Sequence, residues 1–312
     1  MNNLALKYSK MIGEYSVFIQ ELMNQGKYPD EEFENSLKKL FFQKGQGCHR
    51  KQRGIIRISK FEFKDRKNQK EKILQIHPIE IKATDLNFQF VRNLSDDMKI
   101  WYVDFSDKNA FPDWGSNTWG ESDSLLFSMP LLRKSVLFIN QLNNPDFTDS
   151  VCYKDKSKKL WPTPILFEGV PVWASLINGK PELVQSDIKT NVISMMAPFS
   201  SVGKKYNRDQ LIYLLQILLT AFAGIVHRAV KDKKKLIQLH TGNWGCGNLG
   251  NNKELIYLSQ IYIASVCGIN EIIFHIGKQD EEILKIALDK SKLISDKNSL
   301  EEIIEFLVEQ KY

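Results

Sequence analysis

Residues 236–277 read LIQLHTGNWGCGNLGNNKELIYLSQIYIASVCGINEIIFHIG, and this stretch decides the fold class. The apolar runs 236–242 and 271–277 have the length and composition of buried strands. Between them lie a glycine-rich loop and residues 252–267, whose length and apolar content predict a helix. Strands that alternate with helices favour a layered α/β sheet.

The same alternation continues on both sides of this stretch. Ligands of such sheets bind at the carboxyl ends of strands, so the loops that follow Phe105, Met196, His240 and Phe274 are the first places to search for a site. Further strands are predicted at 100–105, 162–177 and 192–199, and further helices at 208–230, 280–290 and 298–310.

Residues 1–94 are expected to form an N-terminal, mostly helical accessory region, and residues 95–312 the main domain. Within residues 1–42, apolar side chains such as Met11, Tyr15 and Leu22 have helical spacing. Residues 54–94 read as short strands. No repeat or low-complexity linker divides the chain.

The composition is that of a globular protein, with 43% hydrophobic and 26% charged residues in 312. These values exclude collagenous, mucin-like and wholly disordered classes. The four cysteines form no CxxC pair, which excludes a disulfide scaffold and a zinc ribbon and suits a reducing compartment. The histidines lack metal-ligand spacing, so we expect neither a metal nor a cofactor.

Three further features bear on location and partners. The N-terminus has no uninterrupted apolar segment, so we predict no signal peptide and a cytoplasmic protein, in the host cytosol if it is a secreted effector. Gln216 and Arg228 interrupt the apolar run 211–230, which therefore predicts a core helix and no membrane span. Residues 36–72 carry 13 Lys and Arg against three acidic residues, but the stripe lacks a nucleic-acid motif and reads as a solvated surface.

The glycine loop 241–250, TGNWGCGNLG, is the strongest local signal for a ligand. Its four glycines permit positive φ and close approach of a ligand to the backbone. Successive N–H groups that lead into a helix N-terminus favour an anion such as a diphosphate. A tight structural turn would explain the glycine spacing equally well.

This loop closely resembles the TGNWGCGAFGG motif of poly(ADP-ribose) glycohydrolases, a branch of the macrodomain superfamily. The resemblance covers roughly residues 95–312 and implies a macrodomain-like mixed sheet flanked by helices. It also implies an ADP-ribose site, in which Ile276 takes the place of the family's adenine-stacking Phe and Trp173 lies where the family places an aromatic side chain. The predicted ligand-binding residues are Gly242, Asn243, Trp244, Gly245, Cys246, Gly247, Asn248, Leu249, Ile276, Phe199 and Trp173.

A second match is implied upstream, where residues 103–107 resemble the family's VDFAN and place Asp107 on its ribose-contacting Asn. Fourteen residues later, Glu121-Ser122-Asp123 falls on the catalytic Gln-Glu-Glu, and Asp123 on the catalytic Glu. The family's triple glycine falls on 111–113, FPD, whose proline has no N–H to donate. The predicted catalytic residues are Asp123, Glu121, Asp113 and Asp107.

These departures favour removal of single ADP-ribose groups from modified protein over cleavage of poly(ADP-ribose). Crowded carboxylates raise one another's pKa, so one can act as an acid near neutral pH. Several carboxylates would also bind an arginine leaving group, as in divergent relatives among bacterial effectors that act on ADP-ribosyl-arginine, including that of ubiquitin. A non-catalytic ADP-ribose-binding macrodomain, a poly(ADP-ribose) glycohydrolase and a nucleic-acid-associated protein remain as alternatives.

Overall fold

The protein is described here by a computed structural model. The model describes residues 9–24, 53–64, 76–84, 88, 90, 95–106, 110–111, 125–126, 128–142, 144–154, 159–177, 180–184, 188–198, 205–247, 249–297 and 299–312.

Twelve strands lie within the described residues. They are β1 (Ser9–Phe18), β2 (Ile55–Phe63), β3 (Glu80–Thr84), β4 (Met98–Asp104), β5 (Val151–Lys154), β6 (Lys159–Pro162), β7 (Ile165–Pro171), β8 (Ala174–Ile177), β9 (Lys180–Leu183), β10 (Lys189–Ser194), β11 (Leu236–Gly242) and β12 (Glu271–His275).

Six α-helices lie within the same ranges, together with short 3₁₀ turns at Pro145–Thr148 and Lys278–Asp280. They are α1 (Ile19–Asn24), α2 (Leu131–Gln141), α3 (Arg208–Lys231), α4 (Lys253–Cys267), α5 (Glu281–Leu293) and α6 (Leu300–Glu309).

Eight strands form one mixed sheet in the order β1-β2-β7-β10-β4-β11-β12-β3. The five strands from β10 to β3 are parallel, whereas β1, β2 and β7 are antiparallel to their neighbours. The pairs β5–β6 and β8–β9 form separate hairpins. The predicted α/β class with a mixed sheet is confirmed.

Each face of the sheet carries its own apolar cluster, because successive strand residues point to opposite faces. Along β4, Trp101 and Val103 pack with α3 and α4, while Ile100 and Tyr102 pack with Phe88 and α2. The central strands are therefore buried on both sides, as their continuous apolar sequence requires.

The ends of the helices follow local capping rules. Asn207 and Gln210 form a capping box at the start of α3, and Ser299 forms one with Glu302 at the start of α6. Helix α4 ends at Gly268, whose φ of 78° gives the left-handed turn typical of a helix C-terminus.

Helix α3 matches the predicted core helix. Among the described residues it is the one helix long and apolar enough to span a membrane. Its most apolar 18-residue window is 78% buried inside the protein. The side chains of Gln216 and Arg228, which interrupt the apolar run, are also buried, at 5% and 0% exposure.

The prediction of a helix across residues 9–18 is wrong, because these residues form β1. The odd-numbered positions Met11, Gly13, Tyr15 and Val17 turn inward and the even-numbered ones are exposed, which is the period of a strand. Met11 and Tyr15 are four apart, a spacing that satisfies both periods. Within the described part of residues 1–42, only α1 is helical.

The sheet includes strands from both sides of the predicted boundary at residue 94. β1, β2 and β3 come from the N-terminal region, and they pair with β7 on one side and β12 on the other. The division into an accessory region and a catalytic domain stays a prediction about where the chemistry resides.

Candidate functional site

The parallel strands bring several loops to one edge of the sheet. Residues 195–198 follow β10, residues 243–252 follow β11 and residues 276–280 follow β12. We call these three loops the carboxyl-end rim. The rim is where ligands of open α/β sheets bind, and it contains the predicted glycine loop.

Close packing explains two of the glycines in the loop. Gly245 has a φ of 70°, and a Cβ there would lie 2.5 Å from the Cβ of Ala197 in the neighbouring loop. A Cβ on Gly242 would lie 2.6 Å from the carbonyl oxygen of His275. Both contacts are too short for any side chain, so these glycines allow the loops of the rim to touch.

Gly247 differs from both, because it faces open space. It is exposed, and a Cβ there would meet no heavy atom of the described residues within 4 Å. Packing against neighbouring residues therefore does not require glycine at this position, and the backbone of Gly247 is accessible to solvent. Gly247 lies at the point of the loop where an anion can approach the peptide groups.

The side chains of Asn243 and Trp244 are engaged inside the protein. Asn243 accepts a hydrogen bond from the hydroxyl of Tyr257 and donates one to Oδ2 of Asp280, 3.3 Å away. Trp244 is fully buried, and its Nε1 donates to the carbonyl of Met195 at 3.2 Å. These two side chains hold the loop in shape.

The buried carboxylate of Asp280 holds the side chain of Asn243 in place. Asp280 is 2% exposed, and its Oδ1 accepts from Nζ of Lys253 at 2.6 Å. Burial raises the pKa of Tyr257, and the charge of Asp280 raises it further, so the phenol stays protonated and donates to Asn243.

The base of the loop is fixed by Gln260, which is fully buried in α4. Its Nε2 donates to the carbonyl of Gly242 at 3.2 Å, and its Oε1 accepts from the hydroxyl of Thr241. Asn252 caps α4 at the other end of the loop, where its Oδ1 accepts from the N–H of Leu255 at 3.0 Å. The glycine loop thus leads directly into a helix N-terminus.

Beneath the rim, β11 and β12 carry two histidines in contact. Nδ1 of His240 lies 2.9 Å from Nε2 of His275, and the ring of Tyr102 stacks on His240 with centroids 4.3 Å apart. Burial, together with the neighbouring His275, lowers the pKa of His240 to about 3, so His240 is neutral at physiological pH. No group of three or more His, Cys, Asp or Glu placed to hold a metal occurs among the described residues.

The other predicted ligand residues lie in different surroundings. Ile276 is 3% exposed in the apolar cluster that contains Trp244. Trp173 lies in the cluster on the opposite face of the sheet, and its backbone N–H donates to the carbonyl of Ser128 at 2.7 Å. Cys246 and Leu249 are half-buried in the loop. Asn248 and Phe199 lie outside the described residues, and the ligand contacts of the whole set stay predictions.

The predicted catalytic residues Asp107, Asp113, Glu121 and Asp123 also lie outside the described residues. The structure does describe Phe111, which falls on the first glycine of the family's triple glycine. Phe111 has a φ of 50° and is fully buried, with its ring 5.4 Å from that of Phe167. The backbone is thus left-handed, as suits glycine, but the side chain fills the core.

Sequence reasoning missed Asn251 and Tyr206, which join the glycine loop to its neighbours. The hydroxyl of Tyr206 donates to Oδ1 of Asn251 at 2.8 Å. Nδ2 of Asn251 donates to the carbonyl of Pro198 at 2.7 Å and to that of Gly245 at 3.0 Å. The one sequence signal was that Asn251 stands where the quoted motif has its last glycine.

Comparison with known families finds a match in the second half of the chain. Residues 175–283 match a family model described as "Poly (ADP-ribose) glycohydrolase (PARG), Macro domain fold", which is 109 of the 312 residues. The segment includes the glycine loop, so the resemblance predicted from that loop is confirmed there. No curated protein matches the chain.

Solved structures that resemble the chain include bacterial poly(ADP-ribose) glycohydrolases. The enzyme from Thermomonospora curvata, bound to the inhibitor ADP-HPD, is 14% identical with a TM-score of 0.48, over 68% of this chain and 79% of that one. The enzyme from Deinococcus radiodurans, in complex with ADP-ribose, is 13% identical with a TM-score of 0.48, over 95% and 99%.

Proposed function

We propose that this chain, whose residues 175–283 carry a macrodomain segment of the poly(ADP-ribose) glycohydrolase type, is a glycosidase-type hydrolase that binds ADP-ribose at the carboxyl-end rim. One observation carries the proposal. The glycine loop is held rigidly by Asn243, Trp244 and Gln260, yet it opens to solvent at Gly247 and leads into the N-terminus of α4.

The diphosphate of ADP-ribose is the group that this arrangement suits. A negative charge near a helix N-terminus is stabilised by the helix dipole and by peptide N–H groups. Because the loop is already ordered by internal hydrogen bonds, binding costs little conformational entropy. The diphosphate would lie along the backbone of residues 245–249.

The reaction would break the bond between the anomeric carbon of ribose and the modified side chain, and would form a bond from that carbon to the oxygen of water. Water attacks the anomeric carbon, a carboxylate takes up its proton, and a carboxylic acid protonates the departing group. We assign these roles to Asp123 and Glu121, with Asp107 at the ribose and Asp113 at the departing side chain. The assignment rests on the resemblance of residues 103–123 to the family's catalytic segment.

We infer that the substrate is protein modified by single ADP-ribose groups on arginine, with ubiquitin as one candidate target in the cytoplasm. Carboxylates in residues 104–123 would accept the two parallel hydrogen bonds of a guanidinium. The fully buried ring of Phe111 supports a departure from chain cleavage, since the family has a backbone-only position there. Cleavage of poly(ADP-ribose) is the second candidate, favoured by the family match at 175–283.

The test is incubation with protein ADP-ribosylated on arginine, serine or glutamate, and with poly(ADP-ribose), followed by measurement of released ADP-ribose. We expect release from arginine. Asp123→Ala and Glu121→Ala should each lower turnover about 100-fold or more while ADP-ribose still binds, because each removes a general acid or base. Asp289→Asn, at an exposed carboxylate on α5, serves as the matched control with unchanged turnover.

Each other outcome contradicts a defined part of the proposal. Binding of ADP-ribose without release from any substrate would replace the hydrolase by a binding module. Ready cleavage of poly(ADP-ribose) would remove the arginine preference. Unchanged turnover in Asp123→Ala and Glu121→Ala would overturn the assignment of the catalytic residues.

A further inference from the structure

We propose that Asn251 is a positioning residue for the ADP-ribose site: together with Tyr206 it fixes the glycine loop against the loop after β10 and so sets the affinity for the diphosphate. The inference rests on the proposed function, because it concerns the same rim. It concerns the last position of the quoted motif, where this chain has asparagine in place of glycine.

The amide of Asn251 joins two loops. It is 5% exposed, and its Nδ2 donates to the carbonyl of Pro198 at 2.7 Å and to that of Gly245 at 3.0 Å. The backbone N–H of Asn251 also donates to the Gly245 carbonyl, at 3.1 Å. The carbonyl of Gly245 is therefore held by two donors from one residue.

Tyr206 holds the other side of this amide. Its hydroxyl donates to Oδ1 of Asn251 at 2.8 Å and accepts from the N–H of Asn252 at 2.9 Å. Asn252 is the cap of α4, so the same phenol fixes the amide and the start of the helix. Oδ1 of Asn251 can only accept, which sets the amide so that its two N–H groups face the two carbonyls.

We call the hydrogen bonds of Asn251 and Tyr206 to the two loops the clamp. The clamp acts on the part of the glycine loop that would face a ligand. A peptide group has its carbonyl and the following N–H on opposite sides, so fixing the carbonyl of Gly245 also fixes the direction of the N–H of Cys246. That N–H donates to the carbonyl of Asn243 at 2.9 Å and closes the turn before Gly247. Asn251 thus orders the backbone that leads to the open position.

The effect of the clamp should appear in binding and not in the chemical step. A loop that is ordered before the ligand arrives binds the ground state and the transition state equally, so its loss raises KM and leaves kcat unchanged. Asn251 is distinct in this respect from the carboxylates assigned to proton transfer.

The test compares Asn251→Asp with Asn191→Asp. Both asparagines have an amide that donates to a main-chain carbonyl, and Asn191 does so to Ile100 at 2.7 Å, away from the rim. A carboxylate at 251 has no N–H for either carbonyl and faces both with negative charge. ADP-ribose binding by calorimetry should weaken about tenfold or more in Asn251→Asp and stay within about twofold in Asn191→Asp.

Tyr206→Phe provides a second variant that removes one hydroxyl and keeps the ring. Its affinity should fall by a smaller factor, about threefold to tenfold, because the amide keeps both of its carbonyl partners. The double variant Tyr206→Phe/Asn251→Asp should lose less affinity than the two single losses added together, because both changes act on the same contact between the loops.

The outcomes separate the inference from the proposed function. If the wild-type protein does not bind ADP-ribose, the proposed function fails and the inference fails with it. If the wild-type protein binds and folded Asn251→Asp binds equally well, the inference alone is overturned. If Asn251→Asp does not fold, Tyr206→Phe decides: unchanged affinity overturns the inference, and weakened affinity with unchanged kcat supports it.

Discussion

At the carboxyl ends of the parallel strands the loops are held mainly by side-chain amides and main-chain groups, with one ion pair between Asp280 and Lys253. Near the amino end of β4, by contrast, the protein is held by a network of buried charges. Lys99, which is 6% exposed, contacts Glu168 and lies 2.5 Å from Oδ2 of Asp232. Arg228 is fully buried, with Nε 2.5 Å from Oε2 of Glu168 and Nη1 3.2 Å from Oε1 of Glu14. We call these five residues the charge cluster.

The difference reflects what each end has to do. At the proposed diphosphate site the loops are shaped by the amides of Asn243, Gln260 and Asn251. Asp280, the one carboxylate among the described residues of the rim, is paired with Lys253. The charge cluster ties β1, β4 and β7 to α3, and each of its charges has an opposite partner. Ion pairs of this kind join elements firmly but become costly when one partner is lost.

The largest effect is expected from breaking the charge cluster. Glu168→Gln leaves Lys99 and Arg228 buried without their shared counter-charge, so unfolding in denaturant should show a loss of about 3–5 kcal/mol. ADP-ribose affinity of the folded variant should stay unchanged, because the cluster lies away from the rim. The matched control is Asp289→Asn, whose exposed pair with Lys292 should leave the unfolding midpoint unchanged. A small stability loss in Glu168→Gln, or a loss of affinity, would remove the contrast between the two ends.

As the pH falls, His240 beneath the rim and Asp232 in the charge cluster should lose their contributions to the free energy of unfolding at different pH. The folded pKa of His240 is about 3, below its ordinary 6.5, so the unfolded chain takes up a proton first as the pH falls. Stability due to His240 is complete above pH 6.5 and should fall by roughly 1.4 kcal/mol per pH unit below it. Denaturation at pH 8, 6.5 and 5 measures this slope, and His240→Gln should flatten it. Equal slopes in both proteins would show that His240 takes up its proton in the folded state.

Asp232 in the charge cluster should respond only in stronger acid. Its burial raises the pKa, but the hydrogen bond from Lys99 and the charges of Lys99 and Arg57 outweigh burial and hold the pKa below its ordinary 3.8. The carboxylate therefore stabilises the fold above pH 3.8 and loses this contribution as the pH falls further. Between pH 6.5 and 5, Asp232→Asn should keep the slope of the wild-type protein.

A smaller effect is expected at the glycines of the rim. Gly245→Ala places a side chain at a φ of 70° and against Ala197, so the protein should lose about 1–2 kcal/mol from the backbone conformation alone, and ADP-ribose should bind more weakly. Gly247→Ala meets open space and should leave the free energy of unfolding unchanged. If the two variants lose equal stability, the distinction between packed and open glycines in the loop is wrong.

The sequence predicted the rim because its signals are local. The strand at 236–242, the helix from 253 and the glycines between them follow from composition and periodicity, and the structure has them there. The run of residues 9–18 was misread because Met11 and Tyr15 fit a helix as well as a strand. Pairing with β2 decides between the two, and pairing is not local.

The remaining features depend on contacts between distant parts of the chain. Asn243 and Trp244 lie within the motif, but only the structure places Asp280, Tyr257 and Met195 against them. Glu168 and Arg228 are 60 positions apart, and no local sequence pattern pairs them. Phe111 looked like a lost glycine, and the structure shows that the left-handed backbone is kept while the ring enters the core.

We propose that the diphosphate of ADP-ribose lies against the open face of the glycine loop. Calorimetry of ADP-ribose binding to Gly247→Glu tests it most directly, with Gly247→Gln as the matched control of equal size and no charge. Since a Cβ at 247 meets no described atom within 4 Å, both variants should fold as the wild-type protein does. We expect that the wild-type protein binds ADP-ribose, that Gly247→Gln binds it more weakly and that Gly247→Glu shows no binding. Unchanged affinity in folded Gly247→Glu would contradict it.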